Sequence, residues 1–216
     1  ERLGAEVLIL TGDLSEPLCA AGLIQEAIEA FGGLDAVVSN AGVTSPAPLK
    51  DLSIARWDKL MNVNTRATLL LAQAAYPALK DSRGALVAVA SMSGMGAHPG
   101  MGAYSPSKAA LISLCQVLAQ EWACDGINVN TVSPGMIRTP LTQQVYENNQ
   151  IAKERAALVP WGRVGHPEDI SNVIGFLLSP EADYITGQNI LIDGGFVDSL
   201  YSHIPGLPDS SQIEKN

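Results

Sequence analysis

"ALVAVAS", residues 85–91, is apolar at every position until it ends on a serine. A strand with one wet face alternates apolar and polar residues, whereas a strand covered on both faces stays apolar throughout. The run is too short for a core helix, and its valines suit a pleated strand. Runs at 6–10, 36–39, 127–132 and 189–192 share this character, and 85–90 is the third of the five in chain order. Between them lie longer helical patterns at about 16–31, 53–80, 106–124, 142–157 and 167–179. Ser53, and Pro167 with Glu168, read as helix starts, and Gly126 reads as a stop. Strands that alternate with helices in this way predict an α/β fold, a Rossmann-like doubly wound parallel sheet in a single domain. That domain is expected over 1–200, followed by a polar, proline-containing tail at 201–216.

One part of such a fold is not found in the sequence. The chain opens as the end of a helix ("ERLGA") that runs straight into a strand. In a dinucleotide-binding fold, a glycine-rich turn after the first strand holds the pyrophosphate. "GMGAHPGMG" (94–102) is rich in glycine, but a strand precedes it, Tyr104 follows it and no Lys-Ser/Thr pair accompanies it. It reads as an active-site loop. The expectation is a sheet whose N-terminal strand–helix–strand is missing from this chain.

Composition narrows the partners. The net charge is −9 and no basic run occurs, so nucleic acid and anionic membrane surfaces are poor partners. No apolar stretch reaches the ~18–20 residues of a membrane span, and the start lacks the layout of a signal peptide. Cys19, Cys115 and Cys124 are odd in number and show no C-x-x-C spacing, which fits reduced structural thiols in a cytoplasmic protein. Only 16 % of residues are charged, which points to surface buried between subunits of a homo-oligomer.

The chemistry centres on "AYSPSKAAL" (103–111), where Tyr104 and Lys108 stand one helical turn apart. An ammonium beside a phenol favours the phenolate and lowers a tyrosine pKa, which suits general acid–base work. Ser91 ends a strand run, and strand carboxyl ends carry the sites of such sheets. Asn64 lies inside a helical pattern that asparagine does not favour. "SNAG" (39–42) and "VSPGMIRTP" (132–140) follow two further strands and bring small residues and a Pro-Gly turn to the same edge. His98, His166 and His203 share no metal-ligand spacing and read as loop histidines, so no metal site is expected. Met92, Met95 and Met101 either line an apolar substrate pocket or simply pack beside the loop.

With these residues in place the chain resembles the short-chain dehydrogenase/reductase family. The matching motifs are "GDL" (12–14), "NAG" (40–42), "VN" (63–64), Ser91 thirteen residues before Tyr104, "YSPSK" (104–108), "NTVSPGMIRT" (130–139) and "ITGQNILIDGG" (185–195). The resemblance implies an NAD- or NADP-dependent alcohol dehydrogenase or carbonyl reductase that interconverts a secondary alcohol and a ketone. It implies a catalytic tetrad of Asn64, Ser91, Tyr104 and Lys108. In that tetrad Tyr104 exchanges the proton, Lys108 lowers its pKa and binds the nicotinamide ribose, Ser91 orients the substrate oxygen and Asn64 holds a relay water. It also implies cofactor contacts at Asp13 and Leu14, at Asn40, Ala41 and Gly42, and at Pro134, Gly135, Ile137 and Thr139, with Tyr104 and Lys108 shared. By the same likeness the oligomer is a tetramer or a dimer. Within the family pattern, "ASMS" replaces the commoner double serine but keeps Ser91 in place.

Two other readings stand beside this one. A truncated, non-catalytic binding or scaffold protein would account for the missing phosphate turn, but not for an intact tetrad. A sugar epimerase or dehydratase shares Y-x-x-x-K, but normally carries a longer C-terminal substrate region. The segment 141–163 is expected to cover the pocket as a lid. It mixes apolar residues with amides and names no substrate, so sugar, hydroxy-acid, steroid-like and acyl-thioester ketones all stay open.

Overall fold

The computed structural model describes residues 4–205. Four strands, β1 (Ala36–Ser39), β2 (Ala85–Val89), β3 (Asn128–Pro134) and β4 (Asn189–Ile192), form one sheet in the order β1-β2-β3-β4. All three pairings are parallel, with Ala36 opposite Ala85, Ala85 opposite Asn128 and Thr131 opposite Asn189. Parallel neighbours need a crossover, and helices supply each one.

The first crossover is a long helical run: α2 (Ile54–Met61), a π turn (Asn62–Arg66) and α3 (Ala67–Ser82). Ser53 starts it, its hydroxyl accepting from the Arg56 amide at 3.4 Å. The second crossover is α4 (Tyr104–Trp122), which runs on through a 3-10 turn that Gly126 closes in the left-handed conformation. The third contains α5 (Gln143–Tyr146), α6 (Asn149–Leu158) and α7 (Pro167–Leu177). Ahead of the sheet lies α1 (Cys19–Phe31), which packs on α3.

The apolar character of β2 follows from this arrangement. Leu86 and Ala88 join Leu79, Leu111, Cys115 and Val129 in a core beneath α3 and α4. Val87, between them, points to the opposite face and packs with Val132, Ile170 and Leu177 beneath α7. Both faces of the strand are dry, so alternation is lost. The doubly wound α/β reading holds on these grounds. Tyr76 and Trp122 close the outer end of the first core, their rings 5.0 Å apart.

One expected strand does not form. Residues 6–10 are irregular, and Val7 and Ile9 stand 62 % and 83 % exposed. A strand exists only through its ladder, and among the described residues nothing pairs with this segment. At the other end of the chain a 3-10 turn, Val197–His203, occupies the start of the expected tail, and residues 206–216 lie outside the described part. No helix among the described residues is long and apolar enough to cross a membrane.

Candidate active site

Because the strands are parallel and in register, Asn40, Ala90 and Gly135 leave β1, β2 and β3 at one edge of the sheet. A cavity of about 460 Å³ opens there. The first turn after β2 begins at Ser91, whose hydroxyl accepts from the Ser93 amide at 3.1 Å. A Cβ on Gly94 would sit 2.8 Å from the Lys108 carbonyl carbon. Glycine therefore lets this turn lie directly on the backbone of α4 and brings Ser91 to Tyr104. The helix itself begins at Tyr104, with Pro106 in the first turn, where a missing N–H costs nothing.

Three tetrad residues, Ser91, Tyr104 and Lys108, line the cavity. Burial raises the Tyr104 pKa above that of an ordinary phenol, and a hydrogen bond with Ser91 offsets only part of this. Lys108 is 3 % exposed, and its Nζ donates to the Val89 carbonyl at 2.7 Å. Burial disfavours the ammonium and brings the Lys108 pKa down to about 8. The lowering of the Tyr104 pKa expected from the nearby ammonium is outweighed here by burial. One N–H of the Lys108 head goes to the strand carbonyl, and Ser91 is the group that hydrogen-bonds the phenol.

Asn64 lies behind the cavity wall rather than on it. It is buried in the π turn, a feature that often marks functional positions. Its Oδ1 accepts from the Val43 amide at 2.8 Å, and its Nδ2 donates to the Val43 carbonyl at 3.0 Å and to Ser107 Oγ at 2.9 Å. A Cβ on Gly42 would come within 3.4 Å of Lys108 Nζ and 3.6 Å of Asn64 Oδ1. Asn64 thus fixes the turn after β1 against α4, and Gly42 keeps the Lys108 head accessible there.

Among the residues expected to contact a cofactor, Asn40, Gly42, Pro134 and Gly135 line the same cavity. So do Ile137 and Thr139, which a bridge from Ile137 to Gly165 and a bond from the Thr139 amide to Thr142 Oγ1 at 2.9 Å hold in place. Ala41 is exposed beside them but does not line the cavity. Asp13 and Leu14 lie outside it, in a turn where Asp13 Oδ1 accepts from the Ser15 amide at 2.8 Å. The Arg66 guanidinium, from the π turn, bonds the Ser15 carbonyl and ties this turn to the fold. Among the described residues no group of three His, Cys, Asp or Glu is placed to hold a metal. Burial pushes the Cys115 thiol up to about 12, which leaves it inert.

The segment 141–163 does border the cavity, through Leu141, Thr142, Val145, Tyr146 and Arg155. Met92 and Met101 line it, while Met95 is exposed in a neighbouring groove. In the sequence His98 reads only as a loop histidine, and neither Tyr146 nor Arg155 is singled out. His98 enters the cavity wall with its Nδ1 3.0 Å from Ser93 Oγ. Its only sequence signal is a histidine inside a glycine-rich loop. No spacing rule links Tyr146 to Arg155, because a helix break at Asn148 separates them.

A family model described as enoyl-(acyl carrier protein) reductase matches residues 1–197. The chain is 38 % identical over 177 residues to a 3-oxoacyl-[acyl-carrier-protein] reductase, FabG, of Thermotoga maritima, covering 81 % of this chain and 71 % of that one. It is 36 % identical over 194 residues to a 2,5-dichloro-2,5-cyclohexadiene-1,4-diol dehydrogenase, LinX, of Sphingobium indicum, covering 89 % and 77 %. Among solved structures, a short-chain type dehydrogenase/reductase from Mycobacterium marinum superposes with a TM-score of 0.82 at 32 % identity, over 90 % of this chain and 77 % of that one. An NADP active-site complex of RhlG from Pseudomonas aeruginosa gives 0.82 at 33 % identity, over 87 % and 75 %.

Proposed function

Because the chain belongs to the short-chain dehydrogenase/reductase family of oxidoreductases, we propose that its cavity interconverts a ketone and a secondary alcohol, with Tyr104 as the proton-transfer group. The supporting observation is the meeting of Ser91, Tyr104 and Lys108 on one cavity wall at the carboxyl edge of the sheet, with Asn64 bracing it from behind. In the reducing direction the ketone oxygen gains a proton from Tyr104 as its carbon gains a hydride. Burial keeps the phenol protonated at neutral pH, so it is set to act as a general acid. The Ser91 hydroxyl donates to the developing alkoxide and steadies its charge. Lys108, protonated below about pH 8, adds positive charge beneath the same site.

NAD or NADP, the cofactor of the family, supplies the hydride. The residues present fit its nicotinamide–ribose half. Gly42 leaves the space beside Lys108 Nζ free, and Pro134, Gly135, Ile137 and Thr139 form the facing wall. Asn40 and Lys108 are the groups we assign to the ribose hydroxyls. Asp13 and Leu14, in their own turn outside the cavity, are the groups we assign to the adenine end of the same cofactor.

Assembly as a homo-oligomer, a tetramer or a dimer, is part of the proposal. It is supported by α4, which runs from Ala109 to Gln120 without one charged residue although Ala109, Ser113, Gln116, Val117 and Gln120 are exposed. The deciding test is direct. The purified protein is titrated with NADH and NADPH by fluorescence, then assayed for oxidation of either with a panel of ketones. The reading stands if turnover is lost in both Tyr104→Phe and Lys108→Met while dinucleotide binding weakens in Lys108→Met alone. A chain that binds a dinucleotide but turns over nothing is instead a binding protein.

A further inference from the structure

We infer that the substrate carries an oxyanion, a carboxylate or a phosphate, at the end away from its reacting carbonyl, and that Arg155 binds it. This deepens the oxidoreductase reading above and rests on it. Arg155 is half-buried in the last turn of α6 and borders two adjoining cavities. One is the cavity of Tyr104 and Lys108. The other, about 420 Å³, contains neither of them and is walled by Met92, Met136, Leu158, Phe196 and Val197. A ligand that reaches from the first into the second passes the guanidinium.

The guanidinium is short of partners. Among the described residues its one hydrogen bond runs from Nη1 to the Tyr146 hydroxyl at 3.5 Å, and no carboxylate lies within ion-pair distance. A guanidinium has five N–H donors in a planar fork that matches a carboxylate or phosphate. Its central carbon stands over the buried Tyr146 ring, 5.6 Å from the centroid. Arg138 stands over the same ring at 5.4 Å and also lacks a carboxylate partner among the described residues. Two like charges share one phenol, and a bound anion offsets their repulsion.

The surroundings select for the same ligand. The chain has 22 acidic and 13 basic residues, yet no Asp or Glu lines either cavity. Lys108, Arg155 and His98 do. A cavity that a strongly acidic protein keeps free of carboxylates is a cavity for an anion. The apolar walls of the second cavity add a preference for hydrocarbon between the oxyanion and the carbonyl.

The test uses binding, so that it does not depend on turnover. The whole protein is titrated by calorimetry with 6-oxoheptanoate, its methyl ester and 6-oxoheptyl phosphate, in wild type, Arg155→Met, Arg155→Lys and Tyr104→Phe. Wild type should bind at least one of the two anions about tenfold or more tighter than the neutral ester, as a desolvated charge-assisted pair warrants. The preferred anion then says which oxyanion the site takes. Arg155→Met should lose the preference and keep its affinity for the ester and for NADPH, Arg155→Lys should keep part of it, and Tyr104→Phe should keep it all. Equal affinity for all three probes, no binding of any, or a preference that survives Arg155→Met overturns the inference. So does an Arg155→Met variant whose loss falls on NADPH instead, since Arg155 would then serve the cofactor phosphate. Should no ketone be reduced while the anion preference persists and follows Arg155, the oxidoreductase reading fails and the anion site stands.

Discussion

At Tyr104 and Lys108 the same burial acts in opposite senses, raising the phenol pKa and lowering that of the amine. Both shifts favour neutral groups, so at pH 7 the phenol is an acid and the lysine is the only charge of the pair. Tyr104→Phe removes one hydroxyl from a cavity wall and should cut kcat about 10²–10⁴-fold with little change in melting temperature. Steady-state kinetics beside a thermal melt checks this. Lys108 makes a stability prediction of its own. Its pKa moves from 10.5 to about 8 on folding. Between those values the unfolded chain holds a proton that the folded chain has released, so stability rises with pH across the window. The contribution is complete above the unfolded value and is lost as pH falls to about 8. Lys108→Met lacks the group and therefore the slope. Urea unfolding at pH 7.5 and at pH 10.5 should show the difference moving toward wild type by about 3 kcal/mol. A difference that stays constant with pH would mean that the amine is not desolvated.

At the scale of elements, what the sequence shows depends on whether a residue answers to its neighbours in the chain or to a distant surface. β2 is legible because burial on both faces writes the same apolar signal at every position. The start of the first long helix is legible in Ser53, and the stop of the 3-10 turn that extends α4 in Gly126, because caps are local chemistry. Residues 6–10 carry the same composition and form no strand, since composition cannot say whether a partner is alongside. The split between α5 and α6 escapes notice although Asn148 marks it, accepting from the Gln150 and Ile151 amides at 3.0 and 3.2 Å. Asn64 is the intermediate case. Its oddity within a helical pattern is visible, but the π turn and the bonds to Val43 and Ser107 are not. Those bonds predict a cost. Asn64→Ala leaves the Val43 amide and carbonyl without their partner, a loss of roughly 2–4 kcal/mol. A domain of this size should melt about 5–10 °C lower, as circular dichroism would record. The loosened turn should also raise the KM for the dinucleotide more than it lowers kcat, because Gly42 is displaced while Tyr104 keeps its place. A fall in kcat alone would assign Asn64 to the proton path instead.

For the molecule as a whole, charge is distributed unevenly, and the two consequences have different legibility. Arg155 cannot be picked out of the sequence, because its significance is the absence of carboxylates around a cavity built from four separate segments. The uncharged run in α4 can, and the structure adds which of its residues face outward. A helix face from Ala109 to Gln120 that is exposed and free of charge, with Ala109, Ser113 and Val117 short beside the two glutamines, is suited to packing against its own copy. Val117 stands at its centre, 51 % exposed, while Leu118 beside it is buried in the core. A charge at position 117 therefore costs the monomer little, since surface substitutions usually fall within about 0.5 kcal/mol. Across a symmetric interface it sets an unpaired carboxylate, or two like ones, in an apolar contact. Light scattering on the wild type should give a mass that is a multiple of 22.7 kDa, and Val117→Glu should reduce that multiple without unfolding the chain. Because the buried face of the same helix carries Lys108 and begins at Tyr104, dissociation should also lower kcat. A wild-type mass of one chain would remove α4 from the interface and leave its uncharged face without a purpose.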